Sequence, residues 1–314
     1  KPIPRIMHFV WVGGSEVGPN QRDYMNIWRK VLASQGYAFN LWYDSDALLA
    51  FEMNRVILDS ARADTMKVLK DEKVTPTGLS RMIEDRARVL KQQMFDYLNH
   101  PRWAGRADEA RIDLMVRGYG KERATLEAFR QKCLDSHQAM VGEDLRLRDV
   151  RQEFASHFLA DVYQREVAMR GNFAAASDVV RLQAEFLEGG RYSDMDYLPP
   201  LIERPGGVDI SGFSTDAKIG VLQLLLNHDD TLMPGRDRQR YADRTGHIPA
   251  EHLEALSAFA RSRPGVEQIF ASPQPTSLPQ DAIGRGAAWG NPSASEMNAY
   301  VVAHPGSGMV NASM

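Results

Sequence analysis

A single cysteine, Cys133, stands in the whole chain of 314 residues. One thiol cannot close an intrachain disulfide, nor can it supply a cysteine-rich zinc site. Its expected role is that of a small buried side chain. Long apolar runs are also missing. The longest, such as "IGVLQLLL" at 219–226, are far too short to cross a bilayer. No charge of one sign dominates, because 38 Lys and Arg face 41 Asp and Glu for a net charge of -3. Without a basic field, nucleic acid is not an expected partner. The glycines form neither G-x-G-x-x-G nor a P-loop, which removes the usual cradles of hydride transfer and P-loop phosphoryl transfer. No signal peptide is visible and the chain opens on Lys1, so it is expected to be one part of a longer protein. What is present, 43% hydrophobic and 25% charged residues, suits a soluble globular protein.

The order of elements points to an α/β fold. "IPRIMHFVWVGG" (3–14) is an apolar run closed by two glycines and predicts a buried strand. A helix is expected over 21–36 with Gly36 as its stop, then a strand over 37–46 and a helix over 47–61. Strand, helix, strand at this spacing implies a parallel unit with a right-handed crossover. From 62 to 165 the chain is charged and shows almost no strand signal. This stretch is expected to be a helical insertion, broken near 74–78 and 99–105, between two parts of a core at 1–61 and 166–314. A clean amphipathic helix is predicted over 172–190, a strand over 191–198, a strand and helix over 208–226, a polar helical stretch around 236–262 and a last strand over 298–306.

"GGRYSDMDYLPP" (189–200) places two acids one residue apart between a double glycine and a double proline. On a strand, Tyr192, Asp194 and Asp196 would share one face. Two carboxylates there suit Mg²⁺ or Mn²⁺, with substrate phosphates and water completing the shell. The D-x-D pattern alone is weak, and the chain has a second copy in "WYDSDALL". There Asp44 and Asp46 read as a turn, with Asp46 as a helix N-cap. The helix before the first pair puts Ala174, Asp178, Arg181 and Glu185 on one face. Asp178 and Arg181 are either a plain i,i+3 ion pair or a clamp for sugar hydroxyls. Trp11, at the end of the first strand, is either a core tryptophan or a platform for a base.

Four segments, "IPRIMHFVWVGG", "WYDSDALL", "NFAAASDVVRLQAEFLEGGRYSDMDYLPP" and "MNAYVVAHPG", together resemble the catalytic domain of the large clostridial glucosylating toxins. They also resemble related bacterial glycosyltransferase toxin domains, including the PaTox type that modifies a Rho tyrosine. The block 172–199 is the most specific. The resemblance implies a GT-A fold, a Rossmann-like mixed sheet with a large helical insertion. It implies a retaining enzyme that moves a hexose from a UDP-sugar, with Mn²⁺ or Mg²⁺, to a Thr, Ser or Tyr hydroxyl of a host Rho/Ras-family small GTPase. Such an enzyme would be one domain of a secreted bacterial toxin acting in the host cytosol, the inner face of the plasma membrane included.

Carried onto this sequence, the resemblance has Trp11 stacking on uracil with Phe173 lining the base pocket, and Val10 and Ser177 among the UDP-sugar contacts. Asp178 and Arg181 would hold the sugar, Tyr192 the nucleotide, and Asp194 the ribose and sugar. Asp196 would ligate the metal, joined by Asp194 directly or through water. Asn298 would sit close to the sugar, completing a catalytic set with Asp178, Arg181, Asp194 and Asp196. Ala50 departs from the pattern, since the toxins carry an asparagine there. The family's C-terminal loop, with its metal-ligating acid, serine and tryptophan, has no counterpart before Met314, and Trp289 does not simply replace it. Met297 and Ala299 flank Asn298, and the small Ala299 favours UDP-GlcNAc over UDP-glucose as donor. Two other readings stand beside this one: a polysaccharide or lipopolysaccharide sugar transferase, and a catalytically dead UDP-sugar binder.

Overall fold

The computed structural model describes residues 1–154, 159–228, 243–286 and 299–314. Six strands form one mixed sheet: β1 (Ile6–Val10), β2 (Ala38–Tyr43), β3 (Leu145–Asp149), β4 (Gly190–Ser193), β5 (Ile283–Gly286) and β6 (Tyr300–Ala303). Their order is β3-β2-β1-β4-β6-β5. The first four run parallel, and β6 lies antiparallel between β4 and β5. β1 is therefore the point where the chain, having built outward through β2 and β3, returns to add β4 on the other side. In an open parallel sheet the crevice for a ligand lies at such a switch point, beyond the strands' carboxyl ends.

Helices cover both faces, as a parallel sheet requires. α1 (Pro19–Leu32), α9 (Thr215–His228) and α10 (Ala250–Arg261) pack on one side with Met7, Phe9, Phe39 and Leu41. The other side takes α2 (Ala50–Leu69), α3 (Pro76–Leu98), α4 (Ala107–Tyr119), α6 (Val150–Glu153), α7 (Ala160–Gln164) and α8 (Phe173–Glu188), against Val10, Trp42, Tyr192 and Val301. α5 (Arg123–Gln138) follows α4, and α11 (Gly308–Ser313) closes the chain. The alternation of Met7 and Phe9 with Val10 is the period-two pattern of a strand buried on both faces.

Several expectations shift. β3, "LRLRD", lies inside the stretch that read as almost free of strands. Its alternating arginines hid the signal: Arg148 is folded over the Trp42 ring at 4.3 Å and paired with Glu153 and Glu188. The strand expected near 208 is absent. Val208 and Ile210 are instead buried from a loop that follows a 3-10 turn at Pro205–Gly207. Part of the polar helical stretch lies outside the described residues, and α10 accounts for the rest.

Asp46 does cap a helix, but not the next one. α2 begins at Ala50 without a side-chain cap. The Asp46 carboxylate accepts from the N–H groups of Ala107 and Asp108, at 2.8 and 3.0 Å, and so caps α4. Asp108 returns the exchange by accepting from the N–H groups of Leu48 and Leu49, at 2.8 and 3.1 Å. Each acid thus satisfies donors that the other's segment leaves unpaired. Asp44 is spent as well, accepting 2.8 Å from the buried Tyr163 hydroxyl. The second D-x-D is a structural latch between the sheet and the helical stretch.

His8, fully buried in β1, ties three elements. Its Nε2–H donates to the Gly189 carbonyl at 2.9 Å, and its Nδ1 accepts from the Trp42 indole at 3.0 Å. Burial lowers its pKa from 6.5 to about 4. An unfolded chain takes up this proton first as pH falls, so stability contributed by neutral His8 is intact above 6.5 and lost towards 4. Against a His8→Gln variant, the wild type is expected to lose up to about 3 kcal/mol more over that window. Urea unfolding across the pH range reads it, and parallel slopes for the two proteins would contradict it.

Candidate active site

The site lies where β1 and β4 end side by side. Beyond Val10, which is buried, the chain turns sharply through Gly13 and Gly14, at φ of 103° and 80°. A Cβ on Gly13 would stand 2.3 Å from the Phe173 ring, and one on Gly14 would stand 2.0 Å from the Leu48 carbonyl oxygen. These glycines let the loop pass under the start of α8 while taking a conformation that other residues rarely adopt. Trp11 is half-buried, and its indole N–H donates 2.9 Å to the Ser15 carbonyl within the same turn. Phe173 opens α8, half-buried, with its ring 6.1 Å from that of Phe51. Trp11 and Phe173 thus both border the glycine turn, Trp11 packing with the cluster of Met7 and Phe9 and Phe173 with that of Val10 and Trp42.

The turn is backed by α5, which sequence reasoning did not connect to it. The Cys133 thiol donates 3.2 Å to the Gly14 carbonyl, and His137 Nδ1 donates 2.6 Å to the Cys133 carbonyl. Burial pushes the Cys133 thiol up to about 11, so it is a packed hydrogen-bond donor and not a nucleophile. Nothing in the local sequence marks this contact, which spans 119 residues.

Asp194 and Asp196 do not occupy a common strand face. β4 ends at Ser193, and Asp194 to Asp196 form a turn past its carboxyl end. The two acids consequently have different surroundings. Asp194 Oδ1 accepts 2.6 Å from the Tyr192 hydroxyl and pairs with Arg181 at 3.1 Å. Its backbone N–H donates 2.7 Å to the Ala299 carbonyl, fixing the turn against the start of β6. Burial raises the Asp194 pKa, and Arg181 pulls it back. Asp196 is exposed, and its carboxylate has no hydrogen-bond partner among the described residues.

Arg181 organises the polar wall. Its guanidinium reaches Asp178 at 3.1 Å, Asp194 at 3.1 Å and the Ser177 hydroxyl at 3.1 Å, and lies 4.1 Å over the Tyr192 ring. The Arg181 side chain is 7% exposed, while Asp178 keeps 44% of its side chain in solvent. Asp178 therefore has lone pairs to offer a ligand, held in place by a cation that is itself buried. Glu185, expected on the same helical face, is instead fully buried, and burial raises its pKa well above the ordinary carboxylate value. Asn298, Met297 and Trp289 lie outside the described residues.

Among the described residues no group of three or more His, Cys, Asp or Glu could hold a metal by itself. The donor set fits a different arrangement. Asp194 is committed to Arg181 and Tyr192, whereas Asp196 is exposed and has no hydrogen-bond partner among the described residues. One carboxylate at the mouth of a crevice suits Mg²⁺ or Mn²⁺ sites that take their remaining oxygens from substrate phosphates and water.

Comparison with known proteins gives the chain its family and its fold. The TcdA/TcdB catalytic glycosyltransferase domain family matches residues 5–314. Cytotoxin-L of Paraclostridium sordellii is 26% identical over 205 residues, covering 63% of this chain and 8% of that toxin. Toxin B of Clostridioides difficile is 26% identical over 208 residues, with the same coverage. The chain thus spans about a twelfth of the length of these curated relatives. In fold it is similar to the catalytic domain of alpha-toxin from Clostridium novyi, with a TM-score of 0.79 at 16% identity over 99% of this chain and 57% of that one. The UDP-bound glycosyltransferase domain from the YGT toxin gives 0.72 at 18% identity, over 99% and 60%. The shared architecture is the GT-A fold of toxin glycosyltransferase domains. With its profile matched from residue 5 to residue 314, the chain belongs to the TcdA/TcdB catalytic glycosyltransferase domain family.

Proposed function

We propose that this chain is a retaining glycosyltransferase that moves a hexose from a UDP-sugar to a hydroxyl of a host Rho/Ras-family small GTPase. It would act in the host cytosol as one domain of a secreted toxin. The observation that carries the proposal is the division of labour at the β1/β4 switch point. Arg181 locks Asp178 and Asp194 into one wall, while Asp196, exposed in the turn that follows Asp194, has no hydrogen-bond partner among the described residues. Trp11 and Phe173 offer the uracil an aromatic edge, with Val10 beneath. Tyr192 and Asp194 face the nucleotide and ribose, and Asp178, Arg181 and Ser177 face the sugar. Asn298 is assigned to the sugar on family resemblance. The core of this domain is taken as 1–61 and 166–314, with β3 contributed from the 62–165 insertion.

In the proposed reaction the bond between the sugar's anomeric carbon and the diphosphate breaks as the acceptor oxygen attacks from the same face. The acceptor's proton passes to the leaving phosphate oxygen. Charge builds on the diphosphate, and the sugar passes through an oxocarbenium-like state. A divalent cation, Mn²⁺ or Mg²⁺ held by Asp196, would supply charge neutralisation for that leaving group. Asp178 accepts sugar hydroxyls and Arg181 keeps Asp178 from turning away.

Ala299 is small, and its carbonyl is bonded to Asp194, which places a short side chain beside this wall. UDP-GlcNAc is therefore the proposed donor over UDP-glucose, a discrimination that rests on one added group. Incubation with each labelled donor, manganese and a panel of Rho- and Ras-family GTPases, read by intact mass, tests donor and acceptor together. A mass gain of one N-acetylhexosamine is expected. UDP binding with no hydrolysis and no transfer to any acceptor would defeat the proposal.

A further inference from the structure

A cavity of about 360 Å³ lies on the far side of α8 from the candidate sugar site. At about 100° per residue, Asp178 and Arg181 stand within about 60° of each other on the helix, whereas Val179, Val180 and Gln183 centre on the opposite side. Those three line the cavity. Its remaining walls come from the ends of α3 and α4 and from α6 and α7, and its volume is at the lower end of the range for small-molecule sites. Asn99, Pro101 and Gly105 are exposed and form its mouth, while Gln183 is 1% exposed at its floor.

The floor is chemically unfinished. Both amide atoms of Gln183, Nε2 and Oε1, lack any hydrogen-bond partner among the described residues. The Trp103 indole Nε1 and Arg151 Nε, from two other walls, are likewise buried and unpartnered. Buried amides are rarely left in this state, because the desolvation cost is not recovered. Around these donors the lining is mostly aliphatic, with the rings of Phe95 and Phe154 set among residues such as Leu98. The lining charges balance, Arg111 and Arg151 against Asp44 and Asp161. Both arginines are already paired, Arg111 to Asp108 at 2.8 Å and Arg151 to Asp46. Among the described lining residues, neither arginine is left without a carboxylate for an anion to replace.

We propose that this cavity is a second binding site, for a neutral small molecule with a flat apolar body and a carboxamide-like edge that exchanges one donor and one acceptor with Gln183. The site is independent of the glycosyl-transfer reading and separated from that chemistry by the thickness of α8. Benzamide, acetophenone and benzoate probe it: similar bodies carrying a donor–acceptor edge, an acceptor only, and a negative charge. Methyl NMR titration should show saturable shifts at Val179 and Val180. Benzamide should bind about tenfold tighter than either analogue, the effect of one well-made hydrogen bond. UDP with manganese should not displace it.

Gln183→Leu should abolish the preference for benzamide over acetophenone. If that variant does not fold, Val179→Phe, which fills the cavity from α8, should weaken all three probes. Equal binding of benzoate, displacement by UDP, or no saturable shift from any probe would overturn the proposal. The last result would mean that Gln183 is satisfied by solvent alone.

Discussion

Asp196→Asn is expected to cut UDP-sugar turnover by about two to three orders of magnitude at saturating metal. Stability should stay within about 0.5 kcal/mol of wild type, because an exposed carboxylate with no partner among the described residues contributes little to folding. The separation of the two readouts is what makes the test sharp. Asparagine keeps the shape of the turn and removes only the charge that would face the cation. Rates of donor hydrolysis, followed with melting curves on the same preparation, give both numbers. A variant that turns over near the wild-type rate would remove Asp196 from the metal, and with it the proposed stabilisation of the leaving diphosphate.

The second large effect is expected at Arg181. Arg181→Lys keeps the charge, but a lysine ammonium cannot span Asp178, Asp194 and Ser177 at once, nor lie flat on Tyr192. Turnover should fall about a hundredfold, with KM for the donor raised, as the wall loses its fixed geometry. Folding should cost about 1–3 kcal/mol, below the full value for a buried pair because both acids keep solvent contact. Arg181→Leu adds a pH signature. Burial raises the Asp194 pKa and Arg181 opposes that rise, so removing the guanidinium lets it climb further. An acid whose folded pKa is raised contributes stability at low pH and loses it as pH rises through that value. The stability gap between Arg181→Leu and wild type should therefore be wide at neutral pH and narrow in mild acid. The His8 effect is common to both proteins and cancels in the difference. A gap that widens in acid would show that Arg181 does not act on Asp194.

Much of the fold was legible because its signals are local. The run ending at Gly13 and Gly14, the stop at Gly36, the breaks near 74–78 and 99–105, and the helix ended by Gly189 depend on periodicity and on residues that terminate elements. All appear at or within a few residues of the expected places. β3 was hidden because its polar arginines are answered by Trp42, Glu153 and Glu188 from other elements. The loop holding Val208 and Ile210 read as a strand for the converse reason, since apolar residues packed under helices look like a strand core.

The sequence by itself determined the residue types of the candidate site: an aromatic before two glycines, an acid and an arginine three apart on a helix, and a D-x-D after a tight turn. It also carried the family resemblance that later comparison supported. What each acid does was decided only by tertiary structure. Asp44 and Asp46 became a latch because α4 and Tyr163 arrive beside them, and Asp194 became a partner of Arg181 because β4 stops one residue short of it. Asp196 has no hydrogen-bond partner among the described residues, because the strand has ended and its side chain is exposed in the turn. A carboxylate's role is set by which donors share its low-dielectric surroundings, and those donors lie up to 119 residues away in the chain.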